Sequence, residues 1–270
     1  MTIDRLLLAL PAAALMSLQG GVAAAQAEAT QPAAAQPDTE AESESEQPAA
    51  DLPDGFDILD KHLEASGGAE AGLKVQAMRM LGDFAMPAIG MGGTITISMQ
   101  APNSQIINVS LGGMGTMVQG TNGEAAWRQD PGMPMRMLRG PEAEQMIEQA
   151  KFHAQYAPRE QYTSATTLGT EEMNGEPHYR VGLVSAAGNE SVGFYSVRTG
   201  LRYMERQVDP DTGAVASEIA YEDYRTIDGG LVMPFKMSIS SGGIQQVITY
   251  TEIQVDPEFD SSTFDAPGDL

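Results

Sequence analysis

Thr94-Ile95-Thr96-Ile97-Ser98-Met99 alternates polar and apolar side chains over six residues without a break. A period of two puts every second side chain on one face, so this stretch predicts a strand with one wet and one dry side. Pro102-Asn103 interrupts the pattern, and Ile106–Leu111 resumes it. Two strands joined by so short a turn must lie antiparallel, because parallel neighbours need long crossovers. The same logic extends outward. Thr116-Met117-Val118 and Ala125-Ala126-Trp127 flank Asn122-Gly123, a dipeptide suited to tight hairpins. Strands are expected again at 165–171, 178–184, 191–197, 202–208, 216–224, 232–238 and 244–253. Turns at Asn174-Gly175, Thr199-Gly200, Asp211-Thr212-Gly213 and Asp228-Gly229-Gly230 separate them. With alternation beginning near Val75, the pattern amounts to about eleven short strands, as in a barrel or strongly curved sheet.

Two segments break the period of two. Asp54–Ser66 places Phe56, Leu59 and Leu63 on one helical face, with Asp54 as the expected N-cap and Gly67-Gly68 as the stop. A second helix is expected from Pro141, with Glu142 and Glu144 favouring its N-terminal dipole. Met146, Ile147, Ala150, Phe152 and Tyr156 give that segment an apolar side.

The N-terminus reads as an address. Arg5 precedes an apolar run from Leu6 to Leu18, and small residues follow to an A-x-A site at Ala25. That order predicts a signal peptide over residues 1–25. Residues 26–51 are rich in Ala, Pro, Gln, Glu and Ser, too polar to offset the entropy of ordering. An acidic leader is therefore expected there, and a folded domain over residues 52–270. Export implies the periplasm of a Gram-negative-type bacterium. No later segment reaches membrane-spanning length, so an integral membrane protein is not expected.

Composition narrows function. The 270 residues carry 37 acidic against 15 basic side chains, a formal net charge of -22. Phosphate backbones require Lys and Arg, so nucleic acid is excluded as an expected partner. With no cysteine, thiol catalysis and disulfides are excluded. The three histidines, His62, His153 and His178, show no metal-ligand spacing. Met-Pro-Met-Arg-Met at 133–137 is a conceivable thioether site, but no His or Cys stands beside it. Neither a nucleophile elbow nor a phosphate loop is present, and Glu171-Glu172 and Glu222-Asp223 point to opposite strand faces. No enzyme activity, metal or cofactor is expected. The 17 methionines suit either ordinary core filling or a face that moulds itself to an acyl chain. Pro131–Leu138, apolar and broken by proline between a strand and a helix, is placed where a lid would sit.

These features, in their order, resemble the LolA/LolB-like lipoprotein-carrier superfamily. The resemblance rests on the N-terminal amphipathic helix, the strand ending at Pro102-Asn103, and Asn122-Gly123-Glu124-Ala125-Ala126-Trp127 followed by Asp130-Pro131. It also rests on the tail from Val255-Asp256-Pro257 to Phe264-Asp265-Ala266-Pro267-Gly268. Tyr224–Gly229 and Met233-Pro234-Phe235 are similar to the outer-membrane lipoprotein-sorting subgroup. The resemblance implies an α+β fold, mainly β: an incomplete antiparallel barrel of about eleven strands covered by helices around an apolar cavity. It implies a carrier of lipid or acylated lipoprotein, with an envelope sensor or protein-interaction module as the alternative on the same fold. Ile95, Ile97, Met99, Met117 and Trp127 are the expected cavity wall, and Met133, Met135, Met137 and Phe152 the expected lid. Alternation allows one parity of each strand to face inward, so part of this wall list is expected to be wrong. Where the family has an arginine before the Pro-Asn turn, this chain has Ala101.

Overall fold

The computed structural model describes residues 52–186, 188–209 and 212–268. The expected signal peptide, the leader and Asp211 of one expected turn lie outside the described residues. The first helix, α1 (Gly55–Ala65), starts where the Asp54 carboxylate accepts the Phe56 N–H at 2.9 Å. It ends before Gly67 and Gly68, both at positive φ. A further helix, α2 (Ala69–Lys74), follows; six residues are too few to carry a readable helical period.

The first half of the sheet comprises β1 (Ala77–Met86), β2 (Met91–Gln100), β3 (Ser104–Ser110), β4 (Thr116–Thr121), β5 (Ala126–Gln129) and β6 (Arg136–Met137). Helices α3 (Pro141–Gln149) and α4 (Pro158–Gln161) come next, separated by a 3-10 turn at Ala154–Tyr156. The second half comprises β7 (Tyr162–Met173), β8 (Glu176–Ser185), β9 (Glu190–Ser196), β10 (Arg202–Val208), β11 (Val215–Thr226), β12 (Val232–Ser241) and β13 (Ile244–Val255). All thirteen belong to one antiparallel sheet, ordered β6-β5-β4-β3-β2-β1-β13-β12-β11-β10-β9-β8-β7. The expectation of about eleven strands misses β6, two residues inside the segment read as a lid. The expected second helix divides: α3 stops at Gln149, and Pro158 opens the separate α4.

The order makes the sheet two meanders stitched along β1 and β13. Asp256 locks that seam. Its carboxylate accepts the N–H groups of Gln76 at 2.7 Å and Ala77 at 2.9 Å, and its own N–H donates to the Ala77 carbonyl. The tail beyond it folds back: Phe259 and Phe264 pack edge to face, and the Arg79 guanidinium lies 4.7 Å from the Phe259 ring centroid. The sheet is not closed. Its edges, β6 and β7, are joined by residues 138–161, so that connection carries α3 and α4 from one edge to the other.

Two apolar clusters form the interior. The larger holds Met80, Phe84, Ile95, Ile97, Ile107 and Met117 with residues of β11–β13, and it takes in Phe152 and Tyr156 from the connection. The smaller lies under α1, where Ile58 and Leu59 meet Tyr162, Val181, Leu183 and Tyr195. Gly72 of α2 sits flat against the Tyr156 ring, and an added Cβ would overlap it. Helix propensity alone would have Gly72→Ala stabilise the protein by about 1 kcal/mol. The packing reverses the sign: Gly72→Ala is expected to lower stability by about 1–3 kcal/mol through overpacking, measured by urea denaturation.

Candidate functional site

A cavity of about 680 Å³ lies where the two clusters meet, between the concave face of the sheet and the connection from Glu148 to Gln161. Its wall is mostly apolar. Leu59 and Leu63 come from α1, Met80 and Met99 from β1 and β2, and Met237 and Tyr250 from β12 and β13. Phe152 and Tyr156 form its roof, both buried. Leu73, Lys151 and Glu160 stand at its edge with exposed side chains.

The register explains why these residues meet. Met78 pairs opposite Met99 and Met80 opposite Ile97, so these two methionines of β1 share the inward parity of β2. Tyr221 pairs with Met237, and Met237 with Ile248, which carries the same face across β11–β13. Gly82, which faces Tyr250 across a bulge, has the Thr249 carbonyl where a Cβ would stand.

The cover is pinned by backbone groups. The Phe152 N–H donates to the Pro102 carbonyl at 2.9 Å, and His153 Nε2 donates to the Val75 carbonyl at 2.8 Å. The turn it leans on is braced in its own right, since the Asn103 side chain packs against Gly123 of the next hairpin. Just before that turn, the Ala101 N–H donates to the Gln76 carbonyl at 2.8 Å.

Of the nine side chains singled out in the sequence, Met99 and Phe152 border the cavity. Ile95, Ile97 and Met117 share the inward face with Met99, yet they pack into solid core, with Ile97 0% exposed. Trp127 pairs opposite Gly120, on the parity opposite to Met117, and its indole covers that glycine. It is buried on the other side of the sheet rather than in the wall. The segment expected as a lid is an edge ribbon: Met137 pairs with Trp127, and Met133 is 60% exposed. Arg136 holds the ribbon to α3 through both oxygens of Glu142, at 3.0 and 3.3 Å. The covering role passes to the residues just after it.

Sequence reasoning missed the tyrosines. Tyr162, Tyr195, Tyr221, Tyr224 and Tyr250 all border the cavity. Burial pushes Tyr195 up to about 12, and raises Tyr221, Tyr224 and Tyr250 as well. Tyr195, Tyr221 and Tyr250, recurring at inward parity of the later strands, were the available signal; Tyr224, at the other parity of β11, had none. Met233 and Pro234, quoted above only as part of a motif, also border the cavity. His62 reaches it from α1; burial first, and the Arg202 charge second, push its imidazole down to about 3. Among the described residues no group of three or more His, Cys, Asp or Glu could hold a metal, and no helix is long and apolar enough to cross a membrane.

No family model matches the sequence, and neither does any curated protein. Solved structures do match in fold. A LolA superfamily protein from Nitrosomonas europaea is 14% identical with a TM-score of 0.54, over 80% of this chain and 99% of its own. A DUF1329 family protein from Desulfovibrio piger is 11% identical with a TM-score of 0.56, over 79% of this chain and 98% of its own. An outer membrane lipoprotein-sorting protein domain from Vibrio parahaemolyticus is 10% identical with a TM-score of 0.54, over 78% and 96%. The chain therefore has a divergent LolA-like fold: an unclosed antiparallel sheet, curved around a core and covered by helices.

Proposed function

We propose that this protein is a periplasmic carrier that binds lipid, or the acyl chain of a lipoprotein, in the cavity between its curved sheet and the Glu148–Gln161 cover, and that it catalyses no reaction. The single observation that carries the reading is the cavity itself, apolar along its walls and roofed by a connecting segment. Its volume, about 680 Å³, falls within the usual range for small-molecule sites. Each buried methylene contributes ~0.8 kcal/mol, so about ten would supply ~8 kcal/mol before association costs. A gross gain of that size allows useful but reversible binding, as a carrier requires. The LolA-like fold is consistent with this role, and the apolar run with small residues at 1–25 supports export.

The test is native mass spectrometry of the protein purified from its envelope, with lipid extraction of the same sample. Stoichiometric lipid, fatty acid or acylated peptide is the expected result. A clean ligand-free mass, together with no uptake of the neutral apolar dye N-phenyl-1-naphthylamine, would overturn the reading. Two variants separate cavity from core. Ala154→Trp fills the cavity from its roof and is expected to weaken dye uptake about tenfold or more while the protein stays folded. Ile97→Ala lies outside the wall; it is expected to cost about 2–5 kcal/mol of stability yet leave uptake per folded molecule unchanged.

A wall for acyl chains should not acquire charge, and His62 is held to that state. Its folded imidazole titrates near 3, against about 6.5 in the unfolded chain. Between those values the unfolded state binds the extra proton, so stability falls as pH falls through this window. His62→Gln removes this contribution. The stability of the unaltered protein minus that of His62→Gln is expected to decline from pH 6.5 toward pH 3, by up to ~1.4 kcal/mol per pH unit. Denaturant titrations at matched pH values would measure it, and a flat difference would show that the imidazole protonates freely in the folded state.

A further inference from the structure

The cavity wall carries one feature that an acyl chain alone does not need. Arg202 borders the cavity with its side chain 11% exposed, and Glu205 behind it is 1% exposed. Arg202 Nη1 donates to Glu205 Oε2 at 2.9 Å. The guanidinium carbon lies 4.7 Å from the Tyr221 ring centroid, and the Tyr224 hydroxyl donates to the Arg202 carbonyl at 2.6 Å. Three buried polar atoms of this cluster have no partner: Arg202 Nε, the Tyr221 hydroxyl and Glu205 Oε1. Buried groups of this kind are nearly always satisfied, and leaving them unpaired costs free energy. Replacing an ion pair by apolar residues is often neutral or stabilising, so stability alone gives little reason to keep one beside an acyl site.

The unpaired set comprises two donor sites and one acceptor. That is the complement of a carboxylic acid, whose carbonyl accepts and whose hydroxyl donates. We propose that Arg202, Tyr221 and Glu205 form a head-group subsite for the free carboxyl group of a fatty acid, whose chain occupies the apolar remainder of the cavity. This rests on the acyl-binding reading above and names its ligand class. Charge balance follows from the geometry. Arg202 and Glu205 are together neutral, so an incoming carboxylate would leave an unbalanced buried negative charge unless one proton is shared between the two carboxyls. Glu205 is suited to share it, because burial raises its pKa against the opposing pull of Arg202 and of the Ser191 hydrogen bond. The other titratable side chains facing the cluster are His62 from α1, Tyr162 from β7, Tyr195 from β9 and Tyr224 from β11. His62 is neutral near pH 7, and burial raises the pKa of each tyrosine, so neither kind supplies the proton's countercharge. Binding of a fatty acid near pH 7 thus takes up about one proton, and affinity falls by about tenfold per pH unit above neutrality.

The experiment is displacement of N-phenyl-1-naphthylamine from the folded protein by hexadecanoic acid and by its methyl ester, which lacks the acidic proton. The acid is expected to bind about tenfold or more tightly than the ester. Tyr221→Phe removes a hydroxyl with no partner in the free protein, so it should keep the thermal midpoint and narrow the gap several-fold. The paired substitution Arg202→Met with Glu205→Gln removes both charges together, so neither is left buried alone, and should abolish the gap. If that pair fails to fold, Tyr221→Phe decides. Equal binding of acid and ester, or a gap that survives in Tyr221→Phe, would overturn the subsite while leaving an acyl-binding cavity intact. Failure of both compounds to displace the dye would instead remove the acyl-binding reading itself.

Discussion

A thirteen-stranded antiparallel sheet that does not close has two edges and one concave face, and in this chain a single connection runs from one edge to the other across that face, beside α1. The β1–β13 seam places β6 and β7 at opposite ends of the sheet, although they are neighbours in sequence. Residues 138–161 must therefore travel from one edge to the other. Running that connection over the concave face buries Phe152 and Tyr156 in the larger cluster and covers apolar surface that an open sheet would leave wet. The cover is a consequence of strand order, and the cavity is the volume that cover and sheet leave between them.

The two halves of the sheet treat that volume differently. On β2, β3 and β4 the inward positions carry Ile95, Ile97, Ile107, Val109 and Met117, all buried in the larger cluster and none bordering the cavity. On β9, β11 and β13 they carry Tyr195, Tyr221 and Tyr250, whose rings are long and stiff and whose hydroxyls need partners. Rigid rings with polar tips stand off from one another where aliphatic chains would collapse together. The cavity accordingly lies toward the tyrosine half and α1, and the methionines of the first half mostly fill core.

That division sets what the sequence could reveal. Alternation from Thr94 to Met99 and the turns at Asn122-Gly123 and Asn174-Gly175 made the antiparallel fold legible, because backbone hydrogen bonding and glycine conformations are local. The motifs behind the family resemblance turn out to be junctions. Asp256 ties β13 to β1, Pro102 anchors the cover, and Asn103 braces the hairpin at Gly123. The cavity was less legible. Met99 and Phe152 border it, but inward parity cannot tell a wall residue from a core residue, since both are apolar and buried. Trp127 illustrates the limit: its strand was identifiable, but its face depends on pairing with Gly120, which single-strand periodicity does not specify. The Arg202–Glu205 pair was invisible for the same reason, because a bulge between Arg202 and Met204 breaks the alternation there.

How firmly the cover is held bears on how a ligand enters. Ala101 packs against the cluster that holds Phe152 and Tyr156, but its side chain carries no hydrogen-bonding group to tie the cover. The Phe152 N–H on Pro102 and the His153 ring on Val75 each contribute ~1 kcal/mol net, and the Arg159 guanidinium of α4 pairs with Asp60 of α1 at 2.6 Å while the Gln161 carbonyl accepts the Ala186 N–H. Burial of Phe152 and Tyr156 adds more, at about 1.5–3 kcal/mol for a large apolar side chain. Lifting the whole cover would therefore cost several kcal/mol and populate the open form rarely. The edge at Leu73, Lys151 and Glu160, with its exposed side chains, offers a route that leaves those ties in place. On the proposed reading, an acyl chain threading there would meet apolar wall and would slide beneath the roof rather than swing it open on a hinge.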